Sequence, residues 1–432
     1  MNSGLNLLEK WFTIFSLIFL TGMLRWASLF VSPDAKAIST NSYNPFDSLS
    51  SLIQLFVYGV SLFFLATRLQ TTLRTANRHL PIWILPIIAV SSFLWSDFPD
   101  ESLRKGITTL QTTSFGLYFA SRFNIKQQLH ILAWVFGIVA VVSLLFSIVF
   151  RGAAIEAGAN AGALRGPFTQ KNLLARLVVL GAIVFLINIL DNPRRRWILW
   201  TGFLLNVLLI LLTTSKTALL LLVIIIFLLP LYKALRWKTT LAIPLVILVI
   251  LIGSSISLMV LSNWEASLNA IGRDPSLSGR TGLWEASIEK ILHKPWLGYG
   301  YQAFWREGGE AEEIWSIEGY KPPHAHNGFI NMPLDLGLSG LFVFLMILLV
   351  NYLRSIVYLR FGKTMLELWP IYYITFFFMY NHSENTIIEH NSIFWALLVS
   401  VTLSINTHTQ TKSLPSQNQR LLSSPSQPST PN

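Results

Sequence analysis

Cysteine is absent from this 432-residue chain. Its absence excludes disulfides, thiolate catalysis and cysteine-ligated zinc. Charge is scarce as well: 12% of residues are Asp, Glu, Lys or Arg, about half the share usual in soluble domains. Acidic residues are the scarcer sign, 21 against 32 basic, for a formal net charge of +11. The first apolar stretch, after Lys10, lacks a small-residue cleavage site followed by a soluble region, so it reads as a retained helix and not a leader. What the chain has in abundance is hydrophobic residues, 53% of the total. Apolar runs of about 18 residues or more recur from Trp11 to Ile405, the length at which a helix crosses a bilayer.

These runs predict helices over 11–31, 49–67, 80–95, 106–121, 129–150, 172–190, 197–214, 217–235, 239–262, 334–353, 366–381 and 386–405. In lipid the backbone must satisfy its own hydrogen bonds, which makes helices the reading for segments of these lengths. The expected architecture is an all-α polytopic integral membrane protein of about twelve transmembrane helices. Seventeen basic residues fall in one alternate set of loops: Lys10, Arg68, Arg74, Arg78, Arg122, Lys126, Arg194, Arg195, Arg196, Lys233, Arg236, Lys238, Arg354, Arg360, Lys363, Lys412 and Arg420. Nine fall in the opposite short loops. The positive-inside rule then predicts both termini in the cytoplasm. It also accounts for the net charge as orientation and contact with anionic lipid heads, not as a nucleic-acid surface.

Four regions follow from this reading: helices one to nine over 1–262, a long extracytoplasmic catalytic loop over 263–327, helices ten to twelve over 328–405, and a tail over 406–432. The tail is rich in Ser, Pro, Gln and Thr and is expected to stay disordered. The long loop is the one extended polar interruption, with nine acidic and six basic residues. It ends in Pro322-Pro323-His324-Ala325-His326-Asn327.

Candidate chemistry gathers on the side predicted to be extracytoplasmic. Histidine is the side chain most readily used as a general base near neutral pH, and His324 and His326 stand where the polar loop enters an apolar helix. The prolines favour an extended approach, which turns residues two apart to opposite sides and makes the pair poor partners for one metal ion. Hydrogen bonding at the membrane interface is the alternative role. Arg280 lies in Ser278-Gly279-Arg280-Thr281-Gly282-Leu283-Trp284, in the first turn of a helix expected to run to about His293 behind a Ser278 cap. Leu283, Trp284, Ile288, Ile291 and Leu292 would form its apolar face. A cation there opposes the helix dipole, so either a bound anion or a pairing to Glu285 or Glu289 is expected. Lys216, between two apolar spans, is either a lipid-contacting side chain or a fixed charge facing the same compartment. Arg165, Lys171 and Arg176 follow a Gly/Ala-rich outer loop and suit an anion or lipid heads. Trp296, Tyr299, Tyr301, Phe304 and Trp305 fit either a platform for sugar rings or interfacial anchors. Separated cations, a histidine and aromatics together suit a substrate with a diphosphate, a lipid tail and sugars. His382, Glu384, Glu389 and His390 have no role in this reading.

The chain resembles the O-antigen ligase and polysaccharide polymerase superfamily, and within it the exopolysaccharide polymerases. The resemblance lies in Trp95-Ser96-Asp97 followed by Leu103-Arg104-Lys105-Gly106; in Lys171-Asn172; in Ser215-Lys216-Thr217; in Gly279-Arg280-Thr281 with Trp284; in Pro295-Trp296-Leu297-Gly298-Tyr299-Gly300; and in His324-Ala325-His326-Asn327-Gly328 with Leu336-Gly337. It implies a GT-C-like glycosyltransferase of the bacterial inner membrane, facing the periplasm. Such an enzyme moves a glycan from undecaprenyl diphosphate to an acceptor hydroxyl, with no cofactor and no metal. The resemblance makes His326 the base and makes Arg280 and Lys216 the cations holding the diphosphate. Arg165, Lys171, Asn172, His324, Trp284, Tyr299 and Asn327 are the expected substrate contacts. Ligases typically have arginine where this chain has Lys216. Lysine keeps the charge but loses bidentate phosphate binding, and it tips the reading toward polymerisation. The rival class is a transporter for small anions such as bicarbonate, or for lipid-linked sugars. Transporters place ionisable groups near the bilayer midplane, whereas these cluster at helix ends. Sugar, linkage, acceptor, and any chain-length regulator or flippase partner are left open.

Overall fold

The computed structural model describes residues 3–24, 45–191, 196–237, 241 and 280–405. Among them the secondary structure is helical, apart from an isolated bridge between Ile155 and Leu164. The elements are α1 (Ser3–Leu20), α2 (Pro45–Ala66), α3 (Leu69–Ala76), α4 (Ile84–Ser91), α5 (Pro99–Arg122), α6 (Ile125–Val149), α7 (Lys171–Asp191), α8 (Arg196–Leu212), α9 (Lys216–Ala234), α10 (Arg280–His293), α11 (Ala311–Glu318), α12 (Gly328–Phe361), α13 (Leu368–Tyr380) and α14 (Ile393–Ser404). Among the described residues, five helices are long and apolar enough to cross a membrane: Ser48–Ala66, Ile125–Val149, Lys171–Asp191, Lys216–Ala234 and Gly328–Phe361. Leu80–Leu94, Trp197–Leu212 and Ile393–Ser404 are shorter apolar helices. The expected helix over 239–262, the Ser278 cap and the tail lie outside the described residues, apart from Leu241.

The α7 helix is the centre of one half of the bundle, packed by α6, α8, α9 and α13. Its sequence is apolar all round, the pattern of a helix enclosed by others. The α5 helix is the centre of the other half, packed by α2, α3, α4 and α14. It is far less apolar than α2, α4 and α14 around it. Thr108, Thr109, Thr112 and Thr113 return their hydroxyls to backbone carbonyls four residues back. A helix shielded by neighbours can carry hydroxyls that satisfy themselves in this way.

Several boundaries differ from the sequence reading. The first helix, expected over 11–31, runs from Ser3 to Leu20 and stops before Gly22, whose φ is 79°. The helix expected over 106–121 starts at Pro99, where proline fits a first turn. The last helix starts at Ile393 and not at 386, because Ile388 and Asn391 take left-handed φ of 53°. The helix expected over 334–353 runs from Gly328 to Phe361 and breaks at Gly337, with φ 69° and ψ 179°.

The break is filled by the Pro295–Gly300 segment. Tyr299 N–H donates to the Leu334 carbonyl at 2.8 Å and Gly300 N–H to the Asp335 carbonyl at 3.1 Å. In return Leu338 N–H donates to the Pro295 carbonyl at 2.7 Å. Backbone groups freed inside an apolar helix need such partners. The approach is close enough to demand glycine on both sides. A Cβ at Gly337 would lie 2.1 Å from the Trp296 carbonyl oxygen, and one at Gly298 would lie 2.7 Å from the Gly337 nitrogen. Gly337→Ala is therefore expected to destabilise the protein by roughly 2 kcal/mol or more. The readout is thermal stability after extraction, with Gly59→Ala as control, since a Cβ there meets nothing within 4 Å. Equal stability of the two variants would refute this account of the break.

The same segment ties the long loop to the start of α5. Trp95 Nε1 donates to the Leu297 carbonyl at 3.0 Å, Asp97 pairs with Lys294 at 2.9 Å, and Glu101 pairs with Arg306 at 2.6 Å. A small core of Leu283, Ile291, Tyr299, Phe304, Ala311, Ile314, Trp315 and Leu334 holds the loop together. On α10 the buried face is Leu283, Ser287, Lys290 and Ile291, while Ile288 and Leu292 are exposed. Lys290 is tolerated there because Glu310 and Glu313 hold its ammonium at 2.7 and 2.5 Å.

Candidate active site

The site forms where four pieces of chain meet: the first turn of α10, the 324–327 segment, the α13–α14 loop and the first turn of α7. Asn327 caps α12, its side chain accepting the Phe329 N–H at 2.9 Å. Gly328 N–H donates to the Asn381 and Glu384 carbonyls at 2.8 and 3.0 Å. These bonds fix the histidine segment against the α13–α14 loop. From the other side, Trp284 Nε1 donates to the Ala325 carbonyl at 2.8 Å. The observed contacts of Asn327 and Trp284 are thus structural, holding His326 in place.

His326 has a left-handed φ of 51°. This bend defeats the alternation expected of an extended strand, and the two imidazoles lie on one side, with ring centroids 4.3 Å apart. The His326 N–H donates to His324 Nδ1 at 3.1 Å. His326 Nδ1 in turn lies 3.5 Å from Glu384 Oε2. The other Glu384 oxygen accepts from Asn172 Nδ2 at 2.8 Å and lies 3.8 Å from Arg280 Nη2. Arg280 also donates from Nη1 to the Ser383 carbonyl at 2.8 Å. Its carboxylate partner is Glu384, not Glu285 or Glu289.

Glu384, to which the sequence by itself assigns no role, is the hub of the site. Its contribution was hidden because its partners lie in segments far away along the chain. Burial pushes its carboxyl up, but the His326 hydrogen bond and the neighbouring histidines and Arg280 outweigh burial and hold it below the ordinary glutamate value. It is therefore an anion at neutral pH. Burial, helped by His326, lowers His324 to about 3, against a weaker opposing pull from Glu384. A carboxylate facing Nδ1 favours the proton on that nitrogen and leaves Nε2 of His326 as the basic atom.

His324, His326 and Glu384 also offer ligand atoms within 4.8 Å of one another. Two imidazoles and a carboxylate are a donor set that zinc accepts. The expectation that the histidines are poor partners for one ion thus fails on geometry. The Arg280 guanidinium beside the same carboxylate opposes a dication there.

The remaining candidates separate clearly. Lys216 opens α9 behind a Ser215 cap, and α9 packs on α7 and α13. Since α7, α8 and α9 run up, down and up, Lys216 shares an end of the bundle with Asn172. Arg165 is half-buried and donates to the Ala153 and Thr169 carbonyls at 2.9 and 3.4 Å, bracing its own loop. The Lys171 N–H, at the start of α7, donates to Glu156 at 2.5 Å. Tyr299 is 1% exposed and its hydroxyl donates to the Lys290 carbonyl at 2.9 Å. It is a core residue and cannot act as a sugar platform, because the loop core needs its ring. Arg176, one turn into α7, pairs with Glu389 at 3.7 Å.

His324 makes the site acid-sensitive. Its folded-state value lies below the unfolded value of about 6.5, so the unfolded segment takes up a proton first as pH falls. The stability it contributes is complete above about 6.5 and is lost as pH falls toward 3. Glu384 shares this sign, since its lowered value also favours the fold at higher pH. Hydrogen exchange in the peptide around 320–330 is expected to accelerate, beyond its intrinsic pH dependence, on going from about pH 7.5 to about pH 5. Unchanged protection would show that His324 is not held neutral.

Comparison with known proteins bears on the same residues. Residues 201–345 match the family model described as O-antigen ligase. These residues carry an O-antigen ligase domain. The chain is 35% identical over 103 residues to the exopolysaccharide production protein ExoQ of Rhizobium meliloti (strain 1021), covering 23% of this chain and 24% of that protein. It is 34% identical over 97 residues to a "putative polysaccharide ligase" of Rickettsia conorii, covering 21% of this chain and 23% of that one. The matches thus span about a quarter of the length of these curated relatives. None of the relatives named here is a transporter, and the transport alternative gains no support. The ligase domain contributes Lys216, Arg280, His324 and His326, while Asn172 and Glu384 come from outside the matched residues. Its long apolar helices make the chain a multi-pass membrane protein, and residues 201–345 within it are similar to the O-antigen ligase model.

Proposed function

We propose that this chain is a polysaccharide polymerase that extends a glycan carried on undecaprenyl diphosphate, at the outer face of a bacterial inner membrane, in exopolysaccharide or O-antigen biosynthesis. The observation that carries the reading is the meeting of His326 and Arg280, both within the residues that match the O-antigen ligase model, with Glu384 from outside them. The acceptor hydroxyl attacks the anomeric carbon of the donor glycan from the face opposite the diphosphate. The new O–C bond forms as the bond from carbon to the diphosphate oxygen breaks, with inversion. The diphosphate leaves with the electron pair, and the hydroxyl proton passes to His326 Nε2. Glu384 keeps the Nδ1 proton in place and steadies the imidazolium that forms. Arg280 and Lys216 neutralise the departing diphosphate. The acid–base work and the charge neutralisation both come from side chains.

The test is direct. Purified protein in liposomes, supplied with an undecaprenyl-diphosphate-linked repeat unit, is expected to give a ladder of repeat multiples by mass spectrometry. A ligase acting on a different acceptor would instead give one transfer and no ladder. Intact donor after incubation with folded protein would overturn glycosyl transfer from this donor.

A further inference from the structure

A second polar cleft lies at the opposite end of α5 from the loop that carries the candidate site. Glu101, near the start of α5, pairs with Arg306 of the long loop. Arg122 ends the same helix, about 30 Å away at 1.5 Å per residue. Around Arg122 a cleft of about 500 Å³ is lined by Glu9, Lys10, Arg68, Gln127 and His130 among others. Three basic side chains there face one carboxylate.

Arg122 is the informative residue. Its Nε and Nη2 donate to the two Glu9 oxygens, and Tyr118 reaches the same carboxylate at 3.4 Å. The Arg122 side chain is 6% exposed, yet its Nη1 is buried without a hydrogen-bond partner. A clamp between α1 and α5 needs only the Nε and Nη2 edge. It explains neither the second edge turned away from Glu9 nor the placing of Lys10 and Arg68 around the same cleft. A buried charged donor with no acceptor is costly, and guanidinium edges are well suited to phosphate oxygens. Lys10 and Arg68 add two further basic side chains to the wall of the same cleft.

We propose that this cleft binds a phosphate-bearing anion through Arg122 Nη1, Lys10 and Arg68. Lys10, Arg68 and Arg122 all belong to the basic set that the orientation rule places beside anionic lipid heads, so the phosphate of an anionic phospholipid is one source. A soluble phosphate is the other. The site is separate from the glycosyl-transfer reading and is tested without measuring activity.

The full chain is placed in phosphatidylcholine nanodiscs, and either phosphatidylglycerol is added to the lipid or inorganic phosphate to the buffer. Bound lipid is counted by native mass spectrometry, and thermal stability is followed in both arms. The double variant Lys10→Gln/Arg68→Gln keeps the buried Glu9–Arg122 pair, so its fold is preserved. Saturable phosphatidylglycerol binding, roughly tenfold weaker in that variant, supports the site with lipid as its source. Stabilisation by inorganic phosphate in pure phosphatidylcholine, with the same sensitivity, supports it with a soluble source. Absence of both effects in the wild type, or equal binding by the double variant, overturns the proposal.

Discussion

His326→Ala is expected to lower chain extension by about 10²–10⁴-fold, the contribution of a positioned general base, with protein abundance in the membrane unchanged. The reason for the sparing of abundance lies in the contacts. The imidazole of His326 is only partly buried, and its one bond to Glu384 is long, at 3.5 Å. What holds the segment is its backbone and neighbours: the Asn327 cap, the Gly328 N–H and the Trp284 indole. His324→Ala provides the contrast. It removes the acceptor of the His326 N–H and is expected to loosen the segment, lowering stability as well as activity. Wild-type polymer from membranes containing His326→Ala would remove the imidazole from the mechanism and leave the cluster as a structural or ligand-binding feature.

Arg280→Lys is expected to cost about 10²-fold in kcat/KM for the lipid-linked donor, the scale seen when a fixed stabiliser of developing negative charge is lost. The acceptor KM should stay near its wild-type value. Lysine preserves the charge but not the planar fork, which here holds the Ser383 carbonyl with one nitrogen and faces Glu384 with another. Such a fork can exchange the loose 3.8 Å contact with Glu384 for a donor phosphate without leaving its place. Equal losses for donor and acceptor would indicate that Arg280 only braces the α13–α14 loop. The two substitutions separate proton transfer from charge stabilisation, because His326 and Arg280 share Glu384 but act on different atoms of the substrate.

Much of the molecule was legible in its residues. The long apolar runs marked out most of the helices, since hydropathy over about twenty residues is a local sum that needs no partner. The polar interruption stood out for the same reason. The short motifs around Arg280 and His326 pointed to the site because their residue types are chemically rare in an apolar chain. Other features were not legible. Tyr299 looked like a sugar platform because glycines flank it, but Gly298 serves the close approach to the broken α12 helix and Gly300 the close approach to Ser96. Threonine-rich α5 looked like an ordinary apolar span, although its polarity depends on the helices that enclose it.

The amino-acid pattern by itself determined a helical protein with membrane-spanning segments, and the side chains able to carry charge or a proton. The tertiary structure alone decided which of them work together. It bent His326 back onto His324, brought Glu384 to both His326 and Arg280, and turned Gly337 into the seat for Pro295–Gly300. The physical reason is distance along the chain. Helix formation depends on neighbours a few residues away, whereas an ion pair spanning some sixty to a hundred residues, such as that of Glu384 with His326 or Arg280, exists only once packing has brought the segments together.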